Sequence, residues 1–130
     1  MGTVTFVDET TSGERRDSGG LEIAEERLTL REVIRRRIFQ EVAEHHASER
    51  VVFRGLVQPT RTELMLNGDR SRAPRRIDPE RQCELALTAF GRNGFLVLVG
   101  DRQIVELDEE VDLPTGTEVV FLKLVALVGG

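Results

Sequence analysis

Apolar and polar residues alternate at the start of the chain, where Val4 and Phe6 interleave with Thr3 and Thr5 as on a half-buried strand. Residues 10–20, TTSGERRDSGG, are rich in turn formers and charge and predict a hairpin loop. Residues 21–24 supply a second short strand, antiparallel to the first. The period then changes. Leu30, Val33, Ile34, Ile38, Val42 and Ala43 recur at helical spacing and form one apolar face, with Glu32, Arg35, Arg36 and Arg37 mostly off it. Thr29 and Glu32 have the spacing of a capping box, so a helix is predicted over 30–43. His45 and His46 fall near its C-terminal end, where the helix dipole favours positive charge.

Residues 48–77 are less regular. Residues 51–53 and 63–66 read as short strands, with Asn67-Gly68 as a turn, and residues 70–76 as an exposed basic loop. Asp78 then caps a second helix with Pro79 at its first position. Cys83, Ala86, Leu87 and Phe90 form its buried side, and Gly91 with Asn93-Gly94 stops it. Residues 95–99 form an apolar strand, Gly100-Asp101 a turn, and residues 102–105 a return strand. The acidic stretch that follows has Leu107 as its inward residue, and Val111 and Leu113 anchor a loop. After a turn at 114–116, residues 118–125 form the last strand. Lys123 is expected to face water, which places Leu122 and Leu124 toward the core. A hairpin, a helix crossing over to a further strand, and later strands predict an α+β domain with a mixed sheet.

Composition narrows the possibilities. At 130 residues a single domain over 1–130 is expected. There is no Trp and no Tyr, so the core is aliphatic with a few Phe. Lys and Arg together number 18, and Lys123 is the only lysine. The net charge of −5 argues against broad nucleic-acid binding. One cysteine, Cys83, excludes an internal disulfide and fits a reducing compartment. The apolar stretches are too short to span a bilayer, and no signal segment opens the chain, so a cytoplasmic protein is expected.

Candidate chemistry is sparse. Adjacent His45 and His46 point in different directions on a helix and have no third ligand, so a solvated helix end is expected and no metal. Cys83 lies on an apolar helix side with no histidine nearby in sequence, as a buried structural thiol does. The arginine clusters at 35–37 and 70–76 lack interleaved aromatics, which favours solvation or an acidic partner. No phosphate-binding glycine loop, carboxylate pair or nucleophile elbow occurs, and no enzyme is expected. What remains is the end of the chain, where an apolar strand runs into Gly129-Gly130. Glycine has no Cβ, so such a tip can thread a channel too narrow for any other residue. That makes the carboxylate a candidate reacting group.

With these elements in order, the chain resembles the β-grasp family that includes ubiquitin and the sulfur carriers of thiamin and molybdopterin synthesis. Three pieces carry the likeness: the N-terminal hairpin leading into the capped helix, the segment FLVLVGDRQI at 95–104, and GTEVVFL at 116–122 ending in LVGG at 127–130. The likeness covers residues 3–46 and 94–130. It implies a ubiquitin-like β-grasp, a mixed sheet gripping one long helix. An insertion at about 48–93 carries a second short helix, and a flexible tail spans 126–130.

The resemblance implies a protein modifier of bacterial type. A carboxylate is a poor acyl donor, and members of the family solve this by adenylation. A partner activating enzyme spends ATP to join AMP to the terminal carboxylate, and the acyl group passes to a target, in some systems through a conjugating enzyme. On this reading Gly130 and Gly129 are the acyl-donor tip, while Leu127 and Val128 contact the activating enzyme. The chain itself carries no catalytic residue, bound cofactor or metal, and meets no membrane or nucleic acid. Chains of the protein on itself are limited to Lys123 or the N-terminal amine. The alternatives are a sulfur carrier bearing a C-terminal thiocarboxylate, favoured by a tail without arginine, and a non-covalent adaptor. In the adaptor, Phe95, Val97 and Val99 are the candidate partner surface, with Leu96 and Leu98 as the opposite set.

Overall fold

The computed structural model describes residues 2–48, 55–57 and 76–124. The strands are β1 (Gly2–Thr10), β2 (Arg15–Ile23), β3 (Arg27–Thr29), β4 (Phe95–Val99), β5 (Arg102–Ile104), β6 (Glu110–Asp112) and β7 (Glu118–Lys123). Two helices, α1 (Leu30–Ala47) and α2 (Pro79–Gly91), complete the described elements. Five strands form one sheet in the order β2-β1-β7-β4-β5. β1 and β7 run parallel, and the other neighbours are antiparallel, so the sheet is mixed and the fold is α+β. β3 and β6 form a separate antiparallel ribbon. The chain divides into two compact units, one of Met1–Val33 with Phe90–Gly130 and one of Ile34–Ala89.

In the first unit the aromatic core lies on one face of the sheet. Side chains alternate between faces along a strand, and residues opposite one another share a face. Phe6 of β1 pairs with Val119, Phe121 with Val97, and Val97 with Ile104, and all five are buried. The rings of Phe6 and Phe121 meet edge to face at 5.8 Å, Phe121 and Phe95 lie 6.0 Å apart, and Phe95 and Phe90 5.8 Å. Val7 and Val120, paired on the opposite face, are buried as well.

Three sequence expectations fail in this unit. The predicted hairpin loop at 10–20 shrinks to residues 11–14, because Arg15–Ile23 is strand throughout. Its charged and glycine-rich half sits on an edge strand with mostly exposed side chains, where polar residues are tolerated. A bulge opposite Phe6 and a positive φ of 100° at Gly19 accommodate the glycines. Second, the acidic stretch contains β6, which pairs with the unpredicted β3 and carries an Arg27–Asp112 ion pair at 2.6 Å. Third, the last strand faces the other way. Val119 and Phe121 point into the core, Leu122 is half-buried and Leu124 is 45% exposed. Lys123 is itself half-buried; a lysine stem can lie along apolar surface while its ammonium stays in water, so it is a poor marker of the outer face.

The capped start of α1 forms as expected. The backbone N–H of Glu32 donates to Thr29 Oγ1 at 3.2 Å. The first helical N–H groups have no partner within a helix. Here those of Leu30 and Arg31 donate to the carbonyls of Glu109 and Leu107 at 3.0 and 2.9 Å. Arg31 adds an ion pair to Asp108 at 3.2 Å.

In the second unit, Ile34, Ile38 and Val42 of α1 are buried, whereas Ala43 is exposed. Arg37, expected off the apolar face, is 1% exposed. Burial of its guanidinium is compensated by Glu41, one turn further on, at 2.9 Å. The cap of α2 forms as expected: Glu80 N–H donates to Asp78 Oδ1 and Gln82 N–H to the Asp78 carbonyl, both at 3.0 Å. Cys83 and Ala86 are buried, and Leu87 and Phe90 half-buried. After α2, Asn93 takes the left-handed conformation with φ 60°.

Candidate functional site

The residues expected to react and to contact an activating enzyme, Gly130, Gly129, Leu127 and Val128, lie outside the described residues, as do the strands expected at 51–53 and 63–66. What the structure places is the root of the tail. β7 ends at Lys123, opposite Thr10 of the parallel β1. The Lys123 carbonyl accepts a hydrogen bond from Thr11 N–H at 3.1 Å. The turn beside that point is closed on itself. Thr10 N–H donates to the Glu14 carbonyl, Gly13 N–H to the Thr10 carbonyl, and Glu14 N–H to Thr10 Oγ1, at 2.9, 2.9 and 3.2 Å. Gly13 sits at φ 99°, a conformation that favours glycine. The end of β7 therefore lies beside a hydrogen-bonded turn of the β1–β2 hairpin.

The candidate partner surface is corrected. Phe95 and Val97 are buried and Val99 is half-buried, because their face of β4 carries the aromatic core. On the opposite face Leu96 and Leu98 are half-buried and pair with the half-buried Leu122 and the buried Val120, and the exposed Leu124 follows β7.

The histidine pair is also corrected. His45 is 7% exposed and not solvated. His46 lines a cleft of about 460 Å³ within the second unit, walled by Phe39, Val42 and Ala43 of α1 and by residues 76–79. Its Nε2 accepts a hydrogen bond from Ile77 N–H at 2.8 Å, so the ring is neutral and carries its proton on Nδ1. Burial, then the charge of Arg76, then His45 hold His46 below its ordinary pKa of 6.5. This is opposite to the positive charge that a helix C-terminus alone would favour. Sequence spacing signalled a helix end but not that the segment before α2 returns to it.

Arg35 is engaged on both sides. It makes a two-pronged ion pair with Glu80, at 2.8 and 3.2 Å, and its guanidinium lies 4.5 Å over the Phe39 ring. The thiol of Cys83 is buried and donates to the Arg35 carbonyl at 3.9 Å. Among the described residues no three His, Cys, Asp or Glu side chains gather as metal ligands, and no helix is long and apolar enough to cross a membrane.

No protein-family model matches the chain, and neither does any curated protein or solved structure.

Proposed function

We propose that this chain is a ubiquitin-like modifier of the β-grasp class, an acyl donor and not an enzyme, acting through the carboxylate of Gly130. The observation that carries the reading is the parallel pairing of β1 with β7 at the centre of a β2-β1-β7-β4-β5 sheet. A capped helix follows the N-terminal hairpin and β3. This arrangement supports the β-grasp assignment, and β7 ends at Lys123, seven positions before Gly130. Six residues beyond Leu124 span roughly 20 Å when extended, a sufficient reach into a nucleotide site in a partner enzyme. There the carboxylate attacks the α-phosphate of ATP, forming the acyl adenylate and releasing pyrophosphate. A target amine then displaces AMP, directly or through an enzyme thioester, leaving an amide and giving up a proton. The partner supplies nucleotide, metal and catalytic cysteine; this chain supplies the slim tip and the surface that the partner recognises.

The test is incubation of the full chain with ATP and candidate activating enzymes. A thiol-sensitive adduct, abolished when Gly129 and Gly130 are removed, supports the modifier. The absence of arginine from the tail favours a second reading, a sulfur carrier, and replacement of one terminal oxygen by sulfur in the intact mass would select it. If neither product forms and removal of the two glycines leaves cellular activity intact, the adaptor reading replaces both.

A further inference from the structure

Of the polar contacts described between α1 and the α2 region of the second unit, two differ in what acid does to them. The outer one is the Arg35–Glu80 ion pair. The inner one is the hydrogen bond from Ile77 N–H to His46 Nε2 at 2.8 Å. Ile77 directly precedes Asp78, which caps α2 through its Oδ1 and its carbonyl. The inner bond therefore fixes where the second helix begins.

We propose that His46 is an acid-operated latch: protonation of its Nε2 releases Ile77 and the segment leading into α2 from the last turn of α1, opening the cleft between them. The inference goes beyond the modifier reading and does not depend on the tail.

The chemistry is direct. A neutral imidazole has one nitrogen that can accept, whereas in the imidazolium both nitrogens donate. Once Nε2 carries a proton, it faces the Ile77 N–H at 2.8 Å, and two donors cannot hold that contact. The surroundings add to the effect. Phe39, Val42 and Ala43 form an apolar wall that solvates a cation poorly. Arg76 adds positive charge from the facing segment, and His45 lies beside His46 with ring centroids 5.8 Å apart. The acid that lines the same cleft is Asp78, and its Oδ1 is already engaged by Glu80 N–H.

The sign follows from the states. Folding holds His46 below 6.5, so the bond is whole above that value and is lost as pH falls below it toward the folded pKa. The Arg35–Glu80 pair responds later, because Arg35 holds the Glu80 carboxyl below 4.5. Between these ranges α2 stays clamped at Glu80 while residues 76–78 come away, exposing Phe39 and Val42.

The experiment is NMR of the full chain from pH 8 to pH 4.5, following the His46 ring and the exchange of the Ile77 amide corrected for its intrinsic pH dependence. We expect Nε2 to be unprotonated at pH 7.5 and the ring to titrate below 6.5. Over the same interval Ile77 should lose protection by about tenfold, the scale of one net hydrogen bond. In His46→Gln, whose amide oxygen accepts without titrating, protection should persist to pH 5. A protonated Nε2 at pH 7.5, or Ile77 protection that stays constant while the ring titrates, overturns the proposal. The wild-type titration decides even if the variant does not fold.

Discussion

Arg37 donates two hydrogen bonds to one oxygen of Glu41, with Nε and Nη2 at 3.1 and 2.9 Å from Oε2, and the other oxygen of Glu41 accepts the Leu56 N–H at 3.0 Å. One carboxylate thus neutralises a buried guanidinium and fixes residue 56 against α1. Removing one member of a buried pair leaves a charge without compensation and costs about 3–5 kcal/mol, whereas removing both can be nearly neutral. Glu41→Gln keeps an acceptor for Leu56 but removes the carboxylate charge that Glu41 sets against Arg37, so it should destabilise. The double variant Arg37→Met with Glu41→Gln should recover most of the loss. Denaturant midpoints of the wild type, both singles and the double measure this.

Phe121 is fully buried between Phe6 and Phe95 on the central strand. Phe121→Ala should cost about 3–5 kcal/mol, seen as a lower denaturant midpoint. Leu124→Ala, at a 45% exposed site on the same segment, should cost well under half of that. Equal effects would contradict the orientation of β7.

Thr29 caps α1 where the chain leaves β3. Thr29→Ala should cost about 1 kcal/mol, and Thr29→Ser only a fraction of that. The check is thermal unfolding followed by circular dichroism.

Glu80 gives a second acid-dependent contribution. Its hydrogen bonds to Arg35 hold it below 4.5, so the folded state gains stability above that value and loses it as pH falls through the folded pKa. Glu80→Gln should flatten the pH dependence of stability below 4.5 and leave the transition near His46 in place. Because the pair is exposed, its effect at neutral pH should be small. Unfolding midpoints at pH 3.5, 4.5 and 7 separate the two titrations.

The parts of the fold legible in sequence are those with local signals. Thr29 and Glu32, Asp78 and Pro79, and the Gly100-Asp101 turn, with Gly100 at φ 62°, each sit where a neighbouring element starts or stops. What stayed hidden depends on distant partners. β6 is an acidic tripeptide that becomes a strand only because β3 lies opposite. Arg37 looks like a surface residue until Glu41 accepts it. His46 reads as a solvated helix end until Ile77 arrives from 31 positions away. The terminal glycines of the candidate site lie outside the described residues, and the structure describes only the strand that precedes them.

The parallel junction of β1 and β7 also sets a schedule. Arg15 of β2 bonds Glu118 at the start of β7, 103 positions later, at 2.6 Å. The central strand of the sheet is therefore made after its four companions. Until it emerges, β1 is paired on one edge only, and β4 and β5 wait as a separate hairpin. Contacts of such long sequence separation slow folding, because loop closure comes before the contacts that reward it. The first unit cannot finish its sheet until β7 has been made, and its N-terminal hairpin leaves an open edge in the interim. This chain should thus rely more on chaperone shielding than helical proteins of its length.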